Sequence, residues 1–230
     1  MTAVAIIPAR GGSRRLPRKN LLAFLGRPIM AHTIAAALET RAFARVIVST
    51  EDREIAAVAI EAGAEVHERE ASLASDAARV VDVCLAVLES EERAGRVHDV
   101  FACLFATSPL RRAEDIQAVL APVLSGATDF AMAVTSYPLA PHQALRRSAD
   151  GSLAAMWPEL IERRASELDP LVVDNGSTYV CRVAPFRKAK TFYGPGLRGH
   201  LMPRERSVDI DEQADYELAC HYAERLEARR

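Results

Sequence analysis

The chain has 230 residues, 50% of them hydrophobic and 26% charged, with a formal net charge of -2. That is enough apolar material for one large core and too little positive charge for a general nucleic-acid binder. No apolar run reaches the roughly 20 residues that span a bilayer, so no membrane association is expected.

The first apolar run, Val4 to Ile7, reads as a strand and leads into Ala9-Arg-Gly-Gly-Ser-Arg-Arg-Leu-Pro-Arg-Lys-Asn20. Basic residues that follow an apolar run reverse the order of a secretory leader. The adjacent glycines Gly11 and Gly12 let backbone N–H groups approach an anion. Arg10, Arg14, Arg15, Arg18 and Lys19 add charge and fork-shaped donors. A triphosphate suits this loop, although neither Gly-x-x-x-x-Gly-Lys-Ser/Thr nor Gly-x-Gly-x-x-Gly is present. Exposed charge is the default state of arginine, so Arg14, Arg15 and Arg18 also read as a solvated, supporting face.

Strand-like runs at Ala3–Pro8, Arg45–Ser49, Ala64–His67, Asp99–Phe105 and Asp129–Thr135 alternate with helix-like segments near Pro28–Thr40, Arg53–Ala62, Ala77–Arg93 and Ala113–Leu124. This rhythm predicts an α/β fold, a mostly parallel sheet with helices on both faces. Ligands of such sheets bind beyond the carboxyl ends of the strands, where the basic loop lies. His32 falls on the apolar helix and reads as packing. The chain reads as one domain, 1–230, whose rhythm breaks at 137–175, where prolines, an Asp150-Gly151 turn and the only tryptophan, Trp157, indicate an inserted hairpin or arm. An apolar arm of this kind suits contact with a second subunit, the alternative being a flap on its own domain. A strand at Ser177–Val183, a looped stretch through Gly194-Pro195-Gly196, a strand-like Ser207–Ile210 and a helix from Glu212 to Glu227 complete the chain. Cys84, Cys103, Cys181 and Cys220 form no Cys-x-x-Cys pair, which reads as reduced thiols of a cytoplasmic protein.

Asp209 and Asp211 are two apart, so on an extended segment both carboxylates point to one side with Ile210 turned into the core. Two hard oxygen ligands with the remaining positions left to water and phosphate make a typical Mg²⁺ site. Against this, Asp211 sits where a helix cap would.

These motifs, Ala5–Ser13 with Pro17–Asn20, Val46–Asp52, Leu73-Ala74-Ser75-Asp76, Thr107-Ser108-Pro109-Leu110-Arg111, Asp174-Asn175-Gly176 and Ser207–Asp211, resemble in order those of the acylneuraminate cytidylyltransferases. That family activates sialic acid, legionaminic acid or pseudaminic acid, all nonulosonic acids, as CMP-sugars. The resemblance implies a nucleotide-diphosphosugar-transferase-like (Rossmann-like) fold and a homodimer that exchanges residues of the inserted arm. It implies CTP held by Arg10, Gly11, Gly12, Ser13, Lys19, Asn20 and Arg69, Mg²⁺ held by Asp209 and Asp211, and catalysis through Lys19, Arg10 and Asp211. By the same resemblance Phe105, Thr107, Ser108, Arg164 and Asn175 fall on the sugar side. Arg69, flanked by Glu68 and Glu70, also suits a surface ion pair.

In related enzymes a glutamine that reads the sugar precedes a Pro-Thr-Ser-Pro segment, and Phe105-Ala106 stands there instead. Phenylalanine offers no such hydrogen bond, which points away from N-acetylneuraminic acid and towards a nonulosonic acid with a less polar group. Two alternatives stay open: a cytidylyltransferase for 3-deoxy-manno-octulosonic acid, which shares the Ile-Pro-Ala-Arg opening, and a non-catalytic nucleotide-binding module.

Overall fold

The computed structural model describes residues 1–75 and 77–229. The strands are β1 (Ala3–Pro8), β2 (Ala23–Phe24), β3 (Arg27–Pro28), β4 (Arg45–Thr50), β5 (Glu65–Glu68), β6 (Val100–Leu104), β7 (Phe130–Ser136), β8 (Leu145–Arg147), β9 (Leu153–Ala155), β10 (Val172–Arg182) and β11 (Arg198–Leu201). The helices are α1 (Ile29–Glu39), α2 (Arg53–Glu61), α3 (Val80–Arg93), α4 (Ala113–Leu124), α5 (Val183–Ala189) and α6 (Gln213–Glu227). Seven strands form one sheet in the order β11-β7-β10-β6-β1-β4-β5. β10 runs antiparallel to both its neighbours, and every other pairing is parallel.

Strands β1 and β6 are buried along nearly their whole length, as expected of a sheet covered on both faces. One layer packs α1, α2 and α4 residues such as Ile34, Ile55 and Ile116 on the sheet. The opposite layer packs Cys84, Val87 and Leu88 of α3 with Phe101, Phe186 and Phe192. A third, smaller core gathers Leu16, Phe24, Ile29, Val208, Ile210 and Ala219, and so pins the basic loop to the segment before α6. Among the described residues no helix is long and apolar enough to cross a membrane.

Several features differ from the sequence reading, among them the start of β10 at Val172 where Ser177 was expected and the short β2/β3 pair. Residues 207–211 form no strand; Val208 and Ile210 alternate inward as expected, but they pack on the third core, and Ile210 N–H donates to Thr107 O at 2.9 Å. The stretch after Gly196 contains the edge strand β11, which is largely exposed and lacks the continuous apolar run that signals a buried strand. Helix α5 was hidden by the proline within it; Pro185 is tolerated because it lies in the first turn. Helix α3 begins at Val80 where Ala77 was expected.

Residues 137–171 project as an arm. Their antiparallel ladder pairs Leu145 with Ala155 and Arg147 with Leu153 about the Asp150-Gly151 turn, where Gly151 takes a φ of 89°. Leu139, Leu145, Leu153, Met156 and Trp157 are all exposed on it.

Candidate active site

The parallel strands deliver their carboxyl-end loops to one edge of the sheet: residues 9–22 after β1, Glu51-Asp52 after β4, and 105–112 after β6. Between them opens a cleft of about 590 Å³ lined by Arg10, Ser13, Arg14, Arg15, Lys19, Asn20, Arg69, Phe105, Thr107 and Asp211, among others. It is strongly cationic on one wall and apolar near Phe105 and Val83.

Several contacts set the shape of the basic loop. Arg18 adopts a left-handed φ of 56°, held there by ion pairs to Asp52 and Glu54. Asp52 also caps α2, accepting from the N–H groups of Glu54 and Ile55 at 2.9 and 3.1 Å. A Cβ on Gly11 would stand 2.4 Å from Asp52 Oδ2, so any other residue there would push the Asp52 carboxylate off its contacts with Arg18 and α2. Gly11 N–H donates to Glu51 Oε1 at 2.8 Å, and the Asn20 amide donates to Arg10 O at 3.0 Å. The Asn20 Oδ1 is buried without a partner among the described residues, an acceptor ready for a ligand donor.

The far end of the chain meets this loop directly. Lys19 Nζ donates to Asp211 Oδ1 at 2.6 Å and to Ile210 O at 3.2 Å, and Arg15 pairs with Asp211 Oδ2 at 2.5 Å. Asp211 does not cap α6. The N-cap is Glu212, and Asp215 in the first turn closes a capping box with it, its Oδ2 accepting from the N–H groups of Asp211 and Glu212, each at 3.0 Å, which leaves the Asp211 side chain for the cleft. Burial pushes the Asp211 carboxyl up, but the Lys19 hydrogen bond, with the charges of Lys19 and Arg15, brings it below the usual range. Asp209 shifts the other way, raised by burial and by the nearby charge of Asp211 against the hydrogen bond from Thr107.

Known proteins narrow the chemistry. The cytidylyltransferase family model matches residues 4–144. The CMP-N,N'-diacetyllegionaminic acid synthase of Legionella pneumophila is 33% identical over 224 residues, covering 95% of this chain and 94% of that protein. The chain belongs to the cytidylyltransferase family. The pseudaminic acid cytidylyltransferase of Campylobacter jejuni is 28% identical over 220 residues and 95% of each chain. An N-acylneuraminate cytidylyltransferase of Streptococcus agalactiae is 29% identical over 94% of this chain but only 52% of its own length. Among solved structures, CMP:2-keto-3-deoxy-manno-octonic acid synthetase complexed with CTP superposes with a TM-score of 0.74 at 19% identity, over 98% of this chain and 100% of that one. This last likeness establishes the fold, an α/β nucleotidyltransferase architecture.

In this cytidylyltransferase the expected nucleotide residues Arg10, Ser13, Lys19, Asn20 and Arg69 share the cleft, and Gly12 lies in an adjoining recess with Arg10, Ser13 and Arg14. Gly11 is backed by Asp52 and Glu51 as described. Arg69 is no surface ion pair: it is 6% exposed, its Nη2 donates to Ser49 O at 2.5 Å and its Nε to Ser49 Oγ at 3.3 Å. Asp76, which closes the Leu73-Ala74-Ser75-Asp76 motif, lies outside the described residues. Of the supporting arginines, Arg14 and Arg15 line the cleft and Arg18 does not.

The sugar-side residues divide. Phe105 and Thr107 line the cleft, and the Phe105 ring meets Tyr179 edge-on at 5.7 Å. Ser108 is buried and does not line it. Asn175 is also buried: its amide donates to Ser207 Oγ at 3.1 Å and its Oδ1 accepts from Ser177 N–H at 3.1 Å, so it braces the wall. Arg164 stands exposed in the arm; no local spacing could have placed it. Sequence reasoning held Glu51 and Asp52 only as the end of the Val46–Asp52 motif and gave them no role behind the glycines, because contact between loops after different strands leaves no periodic signal.

The donor set suits a hard cation. Asp209 and Asp211 offer two carboxylates within electrostatic reach of each other, and no group of three or more His, Cys, Asp and Glu among the described residues is arranged for a metal. Two protein carboxylates completed by phosphate and water is the habit of Mg²⁺ rather than of zinc. His32 is engaged elsewhere, its Nε2 2.7 Å from Phe24 O and its Nδ1 3.3 Å from Arg27 Nε.

Proposed function

We propose that this cytidylyltransferase activates a nonulosonic acid of the legionaminic or pseudaminic type, joining it to CMP and releasing pyrophosphate from CTP. One observation carries the reading: the 2.6 Å ion pair of Lys19 with Asp211 joins the basic glycine loop to an acidic pair nearly two hundred residues away. A module that only bound nucleotide would have no use for that acidic pair. The full-length similarity to enzymes named for legionaminic and pseudaminic acid supports the substrate class, and the phenyl ring of Phe105 on the cleft wall favours a less polar sugar substituent.

In the reaction the anomeric hydroxyl oxygen of the sugar acid attacks the α-phosphorus of CTP. The new O–P bond forms as the bond from Pα to the bridging oxygen breaks, the electron pair of that bond leaves with pyrophosphate, and the hydroxyl proton passes to solvent water. Such transfers ask a protein for positioning and charge stabilisation, with no side-chain nucleophile. Lys19, Arg10 and Arg15 hold the triphosphate and stabilise charge growing on the leaving group. Lys19 and Arg15 reach it by moving their contacts from Asp211 to phosphate oxygens, which frees the Asp211 carboxylate. Mg²⁺ held by Asp209 and Asp211 would neutralise α-phosphate charge and favour loss of the hydroxyl proton. Asn20 and Arg69 orient the nucleotide.

The arm, expected over 137–175 and ending at 171, just before β10 begins, is read as the dimerisation element of a single-domain chain, with Arg164 completing the site of the neighbouring subunit. Its exposed apolar residues support this. Four free cysteines, three of them buried, suit a cytoplasmic location.

Pyrophosphate release from CTP, measured with N-acetylneuraminic, legionaminic, pseudaminic and 3-deoxy-manno-octulosonic acids with and without Mg²⁺, tests the proposal. Release with none of the four would leave a binding module. Release with 3-deoxy-manno-octulosonic acid alone would move the chain to the branch of its structural neighbour.

A further inference from the structure

Arg111 is 3% exposed and yet forms no ion pair among the described residues. Burying a guanidinium without a carboxylate is costly, and a fold that retains one is using its donors. Its Nη1 donates to Ser177 O and lies 3.5 Å from Thr178 Oγ1. Its Nη2 donates to Thr33 Oγ1 at 2.8 Å and to Phe105 O at 3.2 Å, and its Nε has no partner among the described residues.

Those acceptors join two segments of the cleft wall. Ser177 O also accepts the Phe105 N–H at 3.0 Å, so the end of β6 and the irregular part of β10, where the register shifts between Asp174 and Tyr179, meet on Arg111. From there the ordering passes outward. Phe105 faces the cleft, and two residues on Thr107 lines it and donates to Asp209. On β10, Asn175 braces Ser207, and a Cβ at Gly176 would stand 3.0 Å from Asp209 Oδ2. None of these contacts touches the nucleotide loop.

We infer that Arg111 is the positioning residue of the sugar-side wall: from beneath the sheet edge its fork fixes residues 105–107 against 174–178, and through them the Phe105 ring and the Asp209 carboxylate. This rests on the proposed reaction for its kinetic consequence but not for its structural one. Lysine, with one compact ammonium, cannot span the Phe105 and Ser177 carbonyls as the planar fork does.

Amide hydrogen exchange of Arg111→Gln against wild type tests the structural part. Exchange at Phe105 is expected to speed up by roughly tenfold or more while amides in 9–20 stay within about twofold; an unchanged Phe105 amide overturns the inference. Turnover with whichever sugar acid the wild type accepts tests the kinetic part. The KM for that acid is expected to rise by about tenfold or more and kcat to fall, while the CTP dissociation constant from calorimetry without Mg²⁺, which reads the basic loop alone, stays within about twofold. Equal weakening of both ligands, or no change, overturns it. Arg111→Lys is expected to match the glutamine variant in both experiments, and full recovery with lysine would leave a charge effect in place of positioning. If Arg111→Gln does not fold, the lysine variant decides by the same two measurements. A wild type inert with all four acids would retire the proposed reaction, and the exchange result would still decide the role of Arg111.

Discussion

The basic loop and the projecting arm are both irregular connections, yet they are held in opposite ways. Residues 9–20 are anchored at every few positions: Asp52 behind Gly11 and Arg18, Asp211 on Lys19 and Arg15, Leu16 in an apolar core. Residues 137–171 carry a three-pair ladder and a row of exposed apolar side chains. The loop is organised by the chain's own tertiary contacts before any ligand arrives, which limits the ordering needed on binding. The arm presents unburied apolar surface, the condition in which a second protein surface supplies what the chain lacks.

The largest effect that tests this contrast is expected at the junction of loop and acidic pair. Asp211→Ala or Lys19→Ala should lower kcat/KM by about 10²–10³, the usual cost of removing one charge-stabilising group, with the circular dichroism spectrum and melting temperature near those of wild type. A wild-type rate in Asp211→Ala would remove both the metal assignment and the idea that the two halves act together.

Next comes the buried pair that secures the segment before Asp209. Asp115 is 2% exposed and accepts from Arg206 Nη2 at 2.6 Å and Nε at 3.0 Å. Burial raises its carboxyl, but Arg206 and the Arg112 N–H outweigh it and the net shift is downward. A carboxyl depressed in the folded state contributes its stability above the unfolded pKa of about 3.9, and loses it as pH falls through the lower folded value. Thermal melts between neutral and acidic pH should therefore fall less steeply at the acid end for Asp115→Asn than for wild type. At neutral pH that variant should be less stable by about 3 kcal/mol, since it leaves Arg206 without its charge partner; an equally steep acid limb in both would assign the pH dependence to other carboxyls.

On the arm, Leu153→Arg combined with Trp157→Ala should weaken self-association by about 2 kcal/mol or more, the scale of losing interface anchors. Sedimentation equilibrium measures it, and an unaltered association state would mean that the arm packs elsewhere. The smallest effect separates two neighbouring glycines. Gly11→Ala meets Asp52 and should lower the melting temperature and raise the KM for CTP by about tenfold, as misplacement of a positioning group does; an alanine at Gly12 meets nothing within 4 Å among the described residues and should leave the melting temperature near that of wild type, as an ordinary surface substitution does. Equal sensitivity at both would show that the loop is set by flexibility and not by the Asp52 contact.

The strongly periodic parts of the fold were legible from residue order. Continuous apolar strands such as Val100–Leu104 and amphipathic helices such as Ala113–Leu124 carry their own signal, and both lie where that signal places them. The exposed edge strand β11 and the short helix α5 were not legible, because neither has the apolar period on which a sequence reading depends. The same division runs through the site. Arg10, Lys19 and Asp211, which residue type and spacing single out, meet on the cleft, whereas Asp209, singled out with them, is held by Thr107 and is not among the lining residues. Asn175 and Ser108 look like ligands in sequence, but the fold turns them inward.

The sequence alone determined the alternation of strands and helices, the chemistry of the loop, and the family to which its motifs belong, since each is written in local spacing and residue type. Tertiary structure decided that Asp211 faces Lys19 while Glu212 and Asp215 form the capping box of α6, that Asp52 crowds Gly11, and that a buried Arg111 ties β6 to β10. Each of these joins groups distant in sequence or in loops without period. Their proximity follows from strand order and side-chain packing, which no local pattern encodes.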